Sequence, residues 1–251
     1  DPTSVRERHP TLVIASQTGY GPVGPDRDTP GYDIGAFIAR TGMARTNRPE
    51  QDDPVNLKGG IGDHMTGITT CMAVLAALMG RERTGEGQVV ETSLYHTAVW
   101  TQACDYSVSV IDQAPLRPRA RTQQILATAN RFRCGDGKWV VVNMPEERAW
   151  PLFCRTIGRD DWLAEERFAT VRSRFQNMEE LVSGIDEALS LHSRDEWGAI
   201  FDAAGVIWGP VLGLHEVVTD PQAEAAGLFP ENSHPAIGTY RTVASPIRFH
   251  T

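Results

Sequence analysis

The sequence predicts an α/β fold, a large domain on a buried parallel sheet joined to a second, smaller α+β domain. Three features carry that expectation. Residues 11–16 (TLVIAS) are short, apolar and β-branched, and glycines follow at once, which reads as a buried parallel strand. Residues 64–80 are almost unbroken in small and apolar side chains, the pattern of a helix enclosed between layers. Residues 88–94 then read as a second strand and 95–111 as a helix, and strand, helix, strand, helix in that order implies parallel pairing.

The remaining elements follow from local chemistry. Residues 17–62 are rich in Gly, Pro and Asp, with one helix expected over 33–44. Arg81, Arg83 and the Gly85/Gly87 turn end the long helix. Near Gln113 the texture changes: Pro115, Pro118 and a group of arginines mark a linker over 113–126. Cys134-Gly-Asp-Gly137 between strand-like runs signals a hairpin within 130–143. Amphipathic helices are expected at 146–158, 177–191 and 194–204. A strand at 211–214 follows Pro210, and a further helix begins around Asp220. The predicted organisation is 1–112 as part of the large domain, 127–229 as the small domain, and 230–251 as a segment returning toward the large one. Trp139, Trp150, Trp162, Trp197 and Trp208 all fall in the second domain and read as its core.

Composition narrows the function. Apolar residues are 41% and charged residues 22% of the 251, near the globular average. A net charge of −8 argues against nucleic acid as the main partner. The cluster Arg117, Arg119, Arg121 is either a local grip for a phosphorylated ligand or a solvated linker. Only Lys58 and Lys138 among the 24 basic residues are lysines, which points to GC-rich codon usage before it points to function. The four cysteines contain no C-x-x-C, so no zinc site or disulfide framework is expected and a cytoplasmic setting fits. The apolar runs fall short of the roughly 18 residues of a membrane span and no leader opens the chain, so no membrane association is expected.

Two glycine-rich stretches carry chemical interest. Gly19-Tyr-Gly-Pro-Val-Gly24 matches G-x-G-x-x-G, but Pro22, Pro25, Asp26 and Asp28 oppose the helix that a dinucleotide site needs, so it reads as a turn. In Lys58-Gly-Gly-Ile-Gly-Asp63, three glycines lead into an aspartate where the long helix should begin, so Asp63 reads as its N-cap. A carboxylate there is favoured as an anion by the helix dipole. The glycines would clear space for a ligand and leave backbone N–H groups for a developing oxyanion. Such an aspartate can serve as a nucleophile in acyl chemistry. No G-x-S-x-G, H-E-x-x-H or P-loop is present, and His64 and His96 read as packing residues.

Several segments in order and spacing carry a family resemblance: residues 15–28 (ASQTGYGPVGPDRD), Pro30-Gly-Tyr-Asp33, Gly60-Ile-Gly-Asp63, residues 81–88 (RERTGEGQ), residues 134–140 (CGDGKWV), Asp220-Pro221 and residues 241–246 (RTVASP). The chain resembles the family III CoA-transferases, the group that includes formyl-CoA:oxalate and carnitine CoA-transferases. The resemblance implies an interlocked homodimer with a Rossmann-like large domain, and a chain lacking about the first hundred residues and the family's C-terminal end. It implies Asp63 as nucleophile, forming an aspartyl anhydride and then an aspartyl-CoA thioester. The substrates would be an acyl-CoA and a small carboxylic acid, with no fixed cofactor and no metal. Tyr32 and Asp33 fall where a Tyr-Glu pair lines the family's active site, with Tyr32 expected near Asp63, and Gly59, Gly60 and Gly62 would shape the acyl pocket. Racemases of the same family carry His at the Tyr32 position. Tyrosine, with an ordinary pKa near 10, is a poor base at neutral pH, which favours transfer over α-methylacyl-CoA racemisation. A non-catalytic acyl-CoA-binding or dimer-scaffold piece is the alternative from a different class.

Overall fold

The computed structural model describes residues 2–46, 53–55, 57–113 and 119–250. The chain forms two compact units, residues 1–120 and 121–251.

The first unit opens with α1 (Pro2–Arg8) and β1 (Ile14–Thr18). A π-helical segment, Asp33–Ala39, and the short α2 (Met43–Thr46) follow; the single helix expected over 33–44 is thus broken, with Gly42 in the left-handed region (φ 74°) between the two pieces. Then come α3 (Ile61–Thr84), β2 (Val89–Ser93), α4 (Leu94–Thr101) and α5 (Ala103–Asp112). β1 and β2 pair in parallel from Ile14↔Val89 to Thr18↔Ser93, so α3 lies in the crossover between parallel strands. Gln102 divides α4 from α5, where one helix was expected; its amide donates to the Thr41 and Ala98 carbonyls. The Ser93 side chain ends β2 and caps α4 by accepting from the His96 N–H at 3.1 Å. A small core of Ala36, Phe37, Ile38, Ala44, Leu94 and Ala98 joins the π-helical segment to α4.

α3 departs from expectation. It is not enclosed on all sides: Gly62, Thr66 and Ala77 are buried, while Met65, Ile68, Met72, Leu75 and Met79 are exposed. These last five repeat at three- and four-residue intervals and form an apolar stripe along one face. The helix is also long and apolar enough, by length and composition, to cross a membrane, contrary to the reading of the apolar runs. α3 packs against β1, β2, α4 and the π-helical segment, and only 17% of its apolar stretch is buried.

The second unit holds β3 (Ala129–Arg133) and β4 (Trp139–Asn143), the expected hairpin, then α6 (Ala149–Thr156), α7 (Val171–Gln176), α8 (Met178–Leu189) and α9 (Arg194–Ala204). β5 (Trp208–Val211), α10 (Leu214–Val217), α11 (Pro221–Ala225), β6 (Glu231–His234) and β7 (Gly238–Arg241) complete it. The third strand lies earlier than the expected 211–214. It pairs with β4 from Val142↔Trp208 to Trp139↔Val211, and Pro210 is accommodated because β5 is an edge strand. Trp150, Trp162 and Trp197 are buried in the core with Phe132, Phe153 and Phe201, while Trp139 and Trp208 are half-buried. Residues 242–248 lie along 226–230: the Ala244 N–H donates to the Leu228 carbonyl at 2.9 Å, and the Arg248 guanidinium reaches the Ala226 carbonyl.

Arg117 and part of the expected linker lie outside the described residues. Arg121 is neither solvated linker nor a free anion grip. Its guanidinium pairs with Asp186 on α8 and lies 5.3 Å from the centre of the Trp139 ring, so the second unit begins at this arginine.

Candidate active site

The glycine loop enters α3 earlier than the sequence suggests. The N-cap is Gly60, held at φ 95° where a side chain would be strained, and Asp63 is the third residue of the helix. The cap hydrogen bonds come instead from Asp33, the first residue of the π-helical segment. Its Oδ2 accepts from the Gly60 N–H at 2.5 Å and its Oδ1 from the Gly62 N–H at 2.8 Å. Asp33 is only 6% exposed. It was expected to line a substrate pocket; the fold buries it and occupies both its oxygens. The Gly60 and Gly62 N–H groups are likewise unavailable to an oxyanion. Those of Ile61 and Asp63, in the same first turn, have no acceptor among the described residues.

Gly62 is required by packing. A Cβ at this position would lie 2.6 Å from Phe37 Cβ, and closer still to Phe37 Cγ and Asp33 Oδ1, a separation real side chains do not adopt. Gly59 meets nothing nearer than Asp33 Oδ2 at 4.0 Å, so its openness is space and not contact.

Asp63 itself is exposed, and its carboxylate has no ion-pair or hydrogen-bond partner among the described residues. It projects from the N-terminal turn of a 24-residue helix, where backbone dipoles favour an anion. Tyr32 precedes Asp33 in the chain and is 82% exposed, its hydroxyl unbonded among the described residues. The loop residues and Asp33 are therefore brought together, with Tyr32 attached beside them through the backbone.

Two grooves of the first unit lie elsewhere. One, of about 760 Å³, is lined by Tyr95, His96, Val99, Trp100, Val110 and Ile111; another, of about 270 Å³, by Arg40, Arg45, Gln102 and Asp105; neither includes Asp63. Among the described residues no group of three or more His, Cys, Asp or Glu side chains could hold a metal ion. The turn at Gly19–Gly24 leads into no helix, as Pro22 and Pro25 foretold, and the His96 ring stands close beside Gly21.

The arrangement is an unpaired carboxylate beside free backbone amides on a helix N-terminus, in the crossover of a parallel strand pair. This is a site suited to carboxylate nucleophile chemistry on a carbonyl. The family model for CoA-transferase family III matches residues 1–251, and the chain belongs to that family. It is 28% identical over 247 residues to the (R)-2-hydroxy-4-methylpentanoate CoA-transferase of Clostridioides difficile, covering 98% of this chain and 61% of that protein. Against the cinnamoyl-CoA:phenyllactate CoA-transferase of Clostridium sporogenes the identity is 29% over 256 residues, covering 99% and 61%. The crystal structure of Rv3272 from M. tuberculosis, orthorhombic form, superposes with a TM-score of 0.86 at 28% identity, covering 100% of this chain and 66% of that one. The chain therefore spans about three-fifths of the length of the curated relatives it matches.

Proposed function

We propose that this chain carries the nucleophile of an acyl-CoA:carboxylate CoA-transferase, with Asp63 as the attacking group. A single observation carries the reading: in a chain of this family, Asp63 is exposed and set on a helix N-terminus, and neither its carboxylate nor the Ile61 and Asp63 amides have a partner among the described residues.

The steps balance without a proton. An Asp63 oxygen attacks the acyl carbon of the donor thioester; the C–S bond breaks and CoA leaves as thiolate, giving a mixed anhydride. The thiolate attacks the aspartyl carbonyl, forming an aspartyl-CoA thioester and releasing the donor carboxylate. The acceptor carboxylate attacks that thioester, regenerating thiolate and a second anhydride. The thiolate then takes the acceptor acyl group and frees Asp63. Each attacking group is already an anion and each leaving group departs as one, so no general base is called for. A tyrosine at position 32 is compatible with that and would orient substrate through its hydroxyl. The Ile61 and Asp63 N–H groups would receive charge developing on the carbonyl oxygen.

The relatives' activities on hydroxy and aryl-substituted acids support a small carboxylic acid as acceptor. In the whole protein the parallel strand pair would extend into a Rossmann-like sheet, residues 230–251 would return toward the large domain, and two copies would form a homodimer in the cytoplasm.

Asp63→Ala in the full-length protein tests the assignment. Loss of CoA transfer from a panel of acyl-CoA thioesters is expected, together with loss of the hydroxylamine-trapped adduct that the wild-type protein forms. Unchanged transfer in the variant would refute it.

A further inference from the structure

We infer that Asp33 is a positioning residue, a buried carboxylate that clamps the first turn of α3 and so sets the place from which Asp63 attacks; the catalytic consequence rests on the function proposed above.

A carboxylate is seldom buried without a cation beside it, because desolvation is costly. Asp33 is buried with no ion-pair partner among the described residues. Its compensation is two amides, those of Gly60 and Gly62, which lie 27 and 29 residues further along the chain. Hydrogen bonds to an ionised acceptor are about twice as strong as neutral ones. Both amides belong to the N-terminal turn of the 24-residue α3, where backbone dipoles add to the attraction for a carboxylate.

The clamp has a second jaw. Phe37, on the same π-helical segment, presses its ring against Gly62 so closely that no Cβ fits there. Asp33 draws the Gly62 amide inward while the Phe37 ring stops it, and Gly62 is joined by one peptide bond to Asp63. The backbone at the nucleophile is therefore fixed from a segment distant in sequence, whereas its side chain has no hydrogen-bond or ion-pair partner among the described residues. π-Helical segments in otherwise regular structure are frequent at functional sites, and this one supplies both jaws. The clamp also divides the amides of the turn, engaging Gly60 and Gly62 and leaving Ile61 and Asp63 free.

The test uses the full-length protein and two readouts. The first needs no variant. Amide hydrogen exchange in the wild-type protein should show Gly60 and Gly62 protected by on the order of 10²-fold relative to Ile61 and Asp63. Equal exchange at all four positions would overturn the clamp whether or not the protein transfers CoA. The second uses Asp33→Asn, which preserves shape but offers one acceptor where two amides point. Accelerated exchange at Gly60 or Gly62 is expected, with kcat for transfer reduced about 10²-fold, the penalty of a small misplacement, and KM changed by less than roughly three-fold. A kcat within about two-fold of wild type would overturn the positioning role. Wild-type protein that transfers CoA from no thioester would defeat the proposed function, while the exchange pattern would still decide the clamp.

Discussion

Replacing Gly62 by alanine should destabilise the first unit, although alanine is the better helix former. The added Cβ would sit 2.6 Å from Phe37 Cβ and nearer to Phe37 Cγ and Asp33 Oδ1, where contacts below 3.0 Å are not found, so helix start and π-helical segment must separate. Overpacking of this kind costs about 1–3 kcal/mol, against a helix-propensity gain of at most about 1 kcal/mol. Separation also strains both Asp33 hydrogen bonds, so the net effect is a loss of about 1–2 kcal/mol. Gly67, five residues on in the same helix, is the control: it is exposed and a Cβ there meets nothing within 4 Å. Gly67→Ala should gain about 0.5–1 kcal/mol. Thermal unfolding followed by circular dichroism reads both, at about 2–4 °C per kcal/mol for a chain of this size. Opposite signs are expected from the same substitution. A Gly62→Ala protein melting at or above the wild type would refute the packing argument.

In the second unit, the Gly213 backbone N–H and then the Arg194 guanidinium hold the Glu216 carboxyl well below the ordinary carboxylate range, at about 2. Because the folded value is depressed, this group's stabilisation is complete above about pH 4.3 and disappears as the pH falls through about 2. Glu216→Gln should therefore lower the urea midpoint at neutral pH, with the gap to wild type closing between those limits; a gap independent of pH would contradict the linkage. Burial raises the Cys134 thiol to about 11 and the Cys154 thiol to about 12, whereas Cys71 and Cys104 are exposed. A thiol reagent at pH 8 should label Cys71 and Cys104 rapidly in the folded chain and all four after denaturation. Equal native reactivity of the four would show that the second core is open.

Much of the fold was legible because local chemistry and packing agree. Residues 11–16 and 88–94 named the two strands that pair in parallel, and the Cys134–Gly137 turn named the hairpin. The misplaced third strand shows where that agreement ends. Pro210 looked like a boundary, but an edge strand needs no donor on its outer side, and only the pairing partner reveals which strand is at the edge. The breaks at Gly42 and Gln102 are similar cases, with Gln102 binding the Thr41 carbonyl from a distant turn.

The site divides along the same line. Asp63, the glycines before it and a tyrosine at position 32 are one-dimensional facts, visible because the aspartate and its loop are contiguous. The sequence alone pointed to the parallel strand pair, the hairpin, the family motifs and Asp63 as the candidate nucleophile. It also suggested a helix buried on every side and an aspartate capping its own helix, and the tertiary structure reversed both. Burial depends on what lies opposite a residue, and a cap can come from any segment that arrives in space; here Asp33 reaches the turn across 27 residues of chain. Periodicity can mark an apolar face, but only packing decides whether that face is covered and which carboxylate is left free to react.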